Sequence, residues 1–352
     1  MKSIASVKND ETKCISTNFV RMYKRFLVIQ TASLGDVILS TPVLEKIHYY
    51  FPEANIDFLL KYGYEDIFKD HPFIHRLIVW DKSEKKYSHL VKLIKVVRDS
   101  NYDVVVNVQR FASSGLITAL SKAGLKVGFS KNPFSVFFSK RIKHKIGDGK
   151  ENPHEIKRNL KLIESITGSG NFPIKLYPSQ HNFAKVSQYK TKQYITIAPA
   201  SIWFTKQYPE EKWVDFATQI EEDIVIYLIG SPSEKDLCQR IIDNSKHRSS
   251  LNLAGKLSFL ESAALMKDAL MNFVNDSAPM HMASAVNAKT TAIFCSTVPE
   301  FGFGPLSEQS FIIQALDNPE CKPCGLHGFK KCPEKHFDCA NNIKTTQLLE
   351  VL

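Results

Sequence analysis

Short apolar, β-branched runs alternate along the chain with stretches whose apolar positions recur every three or four residues. Residues 25–31 (RFLVIQT), 55–60 (NIDFLL), 76–80 (RLIVW), 102–108 (YDVVVNV) and 126–129 are predicted strands. Residues 36–51 and 89–100 are predicted helices, and in the second Leu90, Leu93, Ile94 and Val97 repeat at helical spacing. Another amphipathic helix is predicted over 154–167. Strands that are apolar throughout, rather than at every second position, belong to parallel sheets covered on both faces by helices.

The alternation lapses between Gly168 and Lys192, where Gly168, Gly170, Pro173 and Pro178 replace periodicity. It restarts with strands at 194–198, 224–229, 251–253, 272–274 and 290–295 and helices at 211–222, 234–244, 258–269 and 280–286. The predicted division is a loose leader over 1–24, an α/β domain over 25–168, a linker over 169–192 and a second α/β domain over 193–352. Two such halves face one another across a cleft, and ligands of these sheets bind in loops beyond the carboxyl ends of the strands.

Composition narrows the class of protein. Hydrophobic residues at 43% and charged residues at 23% exclude a disordered or fibrous chain. No run approaches the ~20 apolar residues of a membrane span, and the leader has no apolar segment of the secretory kind. A cytoplasmic protein with reduced thiols is therefore expected, despite seven cysteines. The formal charge of +10 points to an anionic partner or serves solubility alone.

Three loops carry chemistry. The first, Thr31-Ala32-Ser33-Leu34-Gly35-Asp36, follows the first strand; Gly35 permits a close backbone approach. Asp36 is either a helix cap or a reactive carboxylate, and the spacing is not the G-x-G-x-x-G of dinucleotide dehydrogenases. In the second, residues 198–209, the hydroxyls of Ser201 and Thr205 and the ammonium of Lys206 suit a diphosphate. The nearby Trp213 is read as packing. In the third, Val274-Asn275-Asp276-Ser277-Ala278-Pro279, Asp276 or Ser277 either caps the following helix or faces an anionic donor at its N-terminus.

In this order the loops resemble those of the ADP-heptose lipopolysaccharide heptosyltransferases, a glycosyltransferase family, with the likeness running from Arg25 almost to the end. Its marks are S-L-G-D-V-I-L-S-T-P from Ser33, S-I-W-F-T-K-Q-Y-P-E-E-K-W from Ser201 and N-D-S-A-P-M-H-M-A-S-A from Asn275. Leu228-Ile229-Gly230-Ser231, Leu253-Ala254-Gly255-Lys256 and Phe301-Gly302-Phe303-Gly304-Pro305 support it. The resemblance implies the α/β GT-B architecture, two Rossmann-like parallel-sheet domains facing a central cleft, and is nearest to the second heptosyltransferase step. It implies that Asp36 is the base for an acceptor hydroxyl, with Ser33 and Gly35 beside the acceptor. It assigns Ser201, Thr205, Lys206, Asp276, Ser277, His281 and Gly255 to an ADP-sugar donor. The sequence departs from the family at Ala278, where glycine is usual, and at Lys206-Gln207-Tyr208-Pro209, where the family has Lys-Arg-Trp-Pro.

A carboxylate base and a cation for the leaving diphosphate suit a direct, inverting displacement. No D-x-D triplet occurs, so no catalytic metal or other cofactor is expected. Arg110 can grip an anionic acceptor. Lys131, Lys140, Arg141, Lys143, His144 and Lys145 either face an anionic lipopolysaccharide core or inner-membrane surface, as a peripheral contact, or form a solvated face. Cys321, Cys324, Cys332 and Cys339 have spacing suited to a structural zinc or iron, with packed thiols or disulfides as the other readings. Cys14, Cys238 and Cys295 look incidental. A transferase that uses a protein acceptor or another nucleotide sugar is the alternative; a non-catalytic basic binding protein is a further one. Nucleic acid is not an expected partner, because no finger pattern or aromatic-basic repeat occurs.

Overall fold

The computed structural model describes residues 23–83, 86–146 and 152–352. The predicted leader, and Cys14 in it, therefore lies outside the described residues except for Tyr23 and Lys24. The first half holds strands β1 (Arg25–Ile29), β2 (Asn55–Lys61), β3 (Ile74–Trp80), β4 (Val104–Asn107), β5 (Leu125–Phe129) and β6 (Lys140–Ile142). The second holds β7 (Tyr194–Ala198), β8 (Val225–Leu228), β9 (Ser250–Asn252), β10 (Asn272–Asn275), β11 (Thr290–Ile293) and β12 (Ser310–Ile313).

Both sheets are parallel throughout, in the orders β3-β2-β1-β4-β5-β6 and β12-β11-β10-β7-β8-β9. These are the same doubly wound order, each with one reversal, at β1/β4 and at β7/β10. Central strands β4, β7, β10 and β11 are buried at every position, as continuous apolar runs require. One core joins the two halves: Val37 and Ile38 of the first belong to the same cluster as Met280, Met282 and Ala283 of the second.

Two predicted helices are broken. The one expected over 36–51 divides into Leu34–Leu39 and Thr41–Tyr50, because Pro42 lacks an N–H and opens the second helix. The one expected over 154–167 becomes Glu155–Leu160 and Glu164–Thr167. Strands β6 and β12 and helices Ala112–Leu120 and Gln180–Val186 appear where none was predicted. The last lies within 169–192, opened by a capping box between Ser179 and Asn182.

Candidate active site

Because the strands are parallel, the loops after β1 and β4 leave the first sheet at one end, beside its reversal in strand order. The loops after β7 and β10 do the same in the second sheet. These crevices are where doubly wound sheets bind ligands, and all three chemistry-bearing loops open onto them. The Thr31 hydroxyl donates to Gln109 Oε1 at 2.9 Å, tying the loop after β1 to the one after β4.

The cap of helix Leu34–Leu39 falls on Ser33 rather than Asp36. Ser33 Oγ and N–H donate to Asp36 Oδ2 at 2.6 and 3.2 Å, and Asp36 N–H donates to Ser33 Oγ at 3.4 Å. Asp36 is thus the acidic partner of a capping box. The box uses a single carboxylate oxygen, and Oδ1 has no hydrogen bond among the described residues. Cap and reactive carboxylate are compatible roles. Burial raises the Asp36 pKa above the ordinary carboxylate value; Ser33 opposes this, the Glu155 charge adds to it and His327 offsets part. Burial also acts to raise Glu155, but His144 Nε2 at 3.0 Å and Arg158 at 2.7 Å outweigh it and lower its pKa.

Helix Ala278–Ala285 packs across the cleft against Leu34–Leu39. A Cβ on Gly35 would stand 3.1 Å from His281 Cδ2 and 3.9 Å from the Ala278 Cα, so the glycine lets the two halves approach. His281 is buried and its Nδ1 has no partner among the described residues. Burial, with His154 and Lys206 nearby, pushes its pKa down to about 3, so the ring is neutral near pH 7. Gly35→Ala is expected to displace the imidazole and lower kcat/KM about tenfold, with a small change in Tm; steady-state kinetics beside thermal melting checks it.

In the second half Lys206 Nζ pairs with Asp276 Oδ2 at 2.7 Å, and the two side chains are only 15% and 8% exposed. Thr297 Oγ1 donates to the same Asp276 oxygen at 2.6 Å. Asn275, which the loop reading left without a role, fastens the assembly. Its Nδ2 donates to Pro199 O at 2.7 Å and its Oδ1 accepts from Tyr208 N–H at 2.9 Å, joining the loops after β7 and β10. Ser277 precedes helix Ala278–Ala285 without capping it; its hydroxyl reaches only Asn275 O at 3.3 Å.

The model for glycosyltransferase family 9 (heptosyltransferase) matches residues 90–334. The chain belongs to this family. It is 24% identical to lipopolysaccharide heptosyltransferase 1 of Campylobacter coli over 289 residues, covering 78% of this chain and 84% of the relative. It is 25% identical to lipooligosaccharide heptosyltransferase 2 of Campylobacter jejuni over 327 residues, covering 90% and 94%. The glycosyl transferase family 9 structure from Veillonella parvula superposes with a TM-score of 0.77 at 20% identity, covering 94% of this chain and 96% of that one. E. coli ADP-heptose lps heptosyltransferase II gives 0.76 at 18%, covering 93% and 97%. The fold is the expected GT-B arrangement, and the protein is a glycosyltransferase.

The Thr205 hydroxyl is buried and accepts from Phe329 N–H at 2.8 Å and Ser296 Oγ at 3.0 Å, so it holds the chain's tail rather than standing open to a diphosphate. Ser201 is half-buried, and its carbonyl accepts from Gln207 Nε2 at 2.6 Å. Gly255, at φ +75°, meets Pro232 across the loop after β8. Arg110 is half-buried at the end of β4 and makes no ion pair or hydrogen bond among the described residues. Trp213 is packed in the core as read. His144 leaves the basic cluster: it is buried against Glu155.

The tail is not remote from the site. Gly328, at φ +73°, lies so close to Thr205 and Lys206 that a Cβ there would fall 2.8 Å from Thr205 Oγ1 and 3.0 Å from Lys206 Cγ. Cys321, Cys324, Cys332 and Cys339 line one cavity of about 240 Å³ with His336. All four are free thiols. Burial and the neighbouring thiols push Cys339 up to about 12, and Cys324 rises for the same reasons. Four sulfurs around one cavity are a soft donor set suited to zinc or iron. Among the described residues no three His, Cys, Asp or Glu side chains stand as a metal cage.

Proposed function

We propose that this glycosyltransferase transfers heptose from ADP-heptose to the lipopolysaccharide inner core, as a heptosyltransferase II-like enzyme. The observation that carries the reading is the Asp36 carboxylate, with one oxygen unbonded, on a helix that packs against the helix following the buried Lys206–Asp276 pair. Asp36 Oδ1 takes the proton of an acceptor hydroxyl as that oxygen attacks the anomeric carbon. The bond to the diphosphate breaks on the opposite side, so the anomeric centre inverts, and the departing ADP carries the negative charge. Lys206, shared between Asp276 and the donor, stabilises that charge without a catalytic metal. The assignment to the second step is supported by the lipooligosaccharide heptosyltransferase 2 relative, which aligns over 90% of this chain.

A donor screen by thermal shift tests the substrate. Native-state binding at 100 times Kd stabilises by about 2.7 kcal/mol, so ADP-heptose is expected to raise Tm by several degrees, more than other ADP-sugars. Selective stabilisation by a UDP-sugar would overturn the assignment.

No helix among the described residues is long and apolar enough to cross a membrane. We place the enzyme at the cytoplasmic face of the inner membrane, held there peripherally. Cys321, Cys324, Cys332 and Cys339 are the residues that would hold a structural zinc or iron, which would fix the segment packed on Thr205 and Lys206. Such a metal would have to displace thiol protons, so its binding would depend on pH. Elemental analysis after metal-replete expression is expected to find close to one metal per chain; finding none would contradict this.

A further inference from the structure

Residues 104–146 contain Arg110, Lys122, Lys126, Lys131, Lys140, Arg141, Lys143 and Lys145 and not one Asp or Glu, in a chain that has 36 acidic residues. This block forms one flank of the first domain, from β4 through helix Ala112–Leu120 to β6, the edge strand on that side of the sheet. Lys131, Lys140, Arg141 and Lys143 are exposed on it. With no acidic neighbour in the segment, their field adds rather than cancels.

The same flank exposes apolar side chains. Phe111 is 60%, Val136 68% and Phe137 62% exposed. They are held there by ordered structure. Asn132 Nδ2 donates to Phe111 O at 3.0 Å, tying the segment after β5 to the start of helix Ala112–Leu120. Gly115 leaves the space, because a Cβ there would lie 2.0 Å from Asn132 Oδ1. The turn Ser135–Phe137 then packs beside that helix, while Phe138 turns inward over Gly128. Large apolar groups fixed outward among uncompensated cations are the composition of a surface that seats on anionic lipid.

The loop carrying Arg110 and Phe111 follows β4 at the same end of the sheet as Asp36. We infer that the flank bearing Phe111, Val136 and Phe137 among Lys131, Lys140 and Arg141 is a docking surface for an anionic phospholipid bilayer. Docking there holds the acceptor half of the cleft beside the membrane. The inference deepens the proposed function, on which it rests for a lipid-borne acceptor. The apolar side chains enter the interface and the cations meet the headgroups, each cation near the surface strengthening binding roughly fivefold.

Co-sedimentation of the full chain with vesicles of phosphatidylcholine, alone or mixed with phosphatidylglycerol, tests it. The wild type is expected to bind the mixed vesicles at least ~10-fold more tightly and to weaken as salt rises. Val136→Ser/Phe137→Ser and Lys140→Glu/Arg141→Glu should each lose about tenfold or more, whereas Lys267→Glu/Lys289→Glu, on the second domain, should bind as wild type. All these side chains except that of Lys267, which lies over the Phe183 ring, make no contact whose loss unfolds the chain, and thermal melting controls for the fold. Absence of wild-type binding, or unchanged binding by both flank variants, would overturn the surface. Loss of vesicle binding on adding free, deacylated core oligosaccharide would also overturn it, by making the flank a glycan site. Transfer to that soluble oligosaccharide separates the two ideas. If no ADP-sugar supports transfer yet flank-dependent vesicle binding persists, the substrate reading fails and the surface stands. Normal transfer without flank-dependent binding has the reverse meaning.

Discussion

Asp36→Asn is expected to lower kcat by about 10³-fold while the Kd for ADP-heptose changes less than about threefold. The amide keeps the size of the side chain and can still accept the Ser33 hydrogen bonds that cap helix Leu34–Leu39, so the fold should persist. What is lost is an unprotonated oxygen able to take a proton, and general-base groups contribute roughly 10²–10⁴-fold. Donor affinity should survive because Lys206 and Asp276 belong to the other domain. The wild-type pH profile supplies a second check. Burial raises the Asp36 pKa, and a base works only when unprotonated. Activity should therefore fall as pH drops through that raised value, with the acid limb displaced upward from the ordinary carboxylate position. The Asn variant should lack this limb. Near-normal turnover by Asp36→Asn would remove the residue from the mechanism.

Lys206→Met is the second large effect, expected to lower kcat/KM by about 10²–10³-fold. In the proposed mechanism the ammonium offsets charge that grows as the diphosphate leaves, so the transition state would lose more than the ground state. This variant should also lose stability, because Asp276 is left buried with Thr297 as its remaining partner. Breaking a buried pair from one side typically costs about 3–5 kcal/mol. Lys206→Met/Asp276→Asn should recover part of that stability and none of the activity. Urea unfolding with transfer kinetics on the single and double variants separates the two losses. An unchanged affinity for ADP together with unchanged kcat would refute the assignment of Lys206.

The central strands were legible because burial on both faces demands continuous Val, Ile and Phe, as in β1 and β4. Of the four edge strands, β3 and β9 were legible but β6 (KRI) and β12 (SFII) were not: both are short and mostly exposed, so they carry no continuous apolar run. The loops at the two strand-order reversals could be located because Ser-x-Gly-Asp and Thr-Lys place polar chemistry at strand ends. Their supports could not. Asn275 serves Pro199, Gln109 serves Thr31, and the tail at Phe329 closes on Thr205, 124 residues away. Such partners are set by the packing of two sheets and leave no local period to detect. Gly35 lies between these cases: its freedom was read from the sequence, but its reason, the His281 ring across the cleft, needed the second domain in place.

The most direct test of the account is to incubate the enzyme with ADP-heptose and a lipopolysaccharide inner core that carries its first heptose but lacks the second, then assign the new anomeric centre by NMR. The account predicts addition of a single heptose with configuration opposite to that of the donor, and none with Asp36→Asn. Retention of configuration, or equal product from the variant, would contradict it.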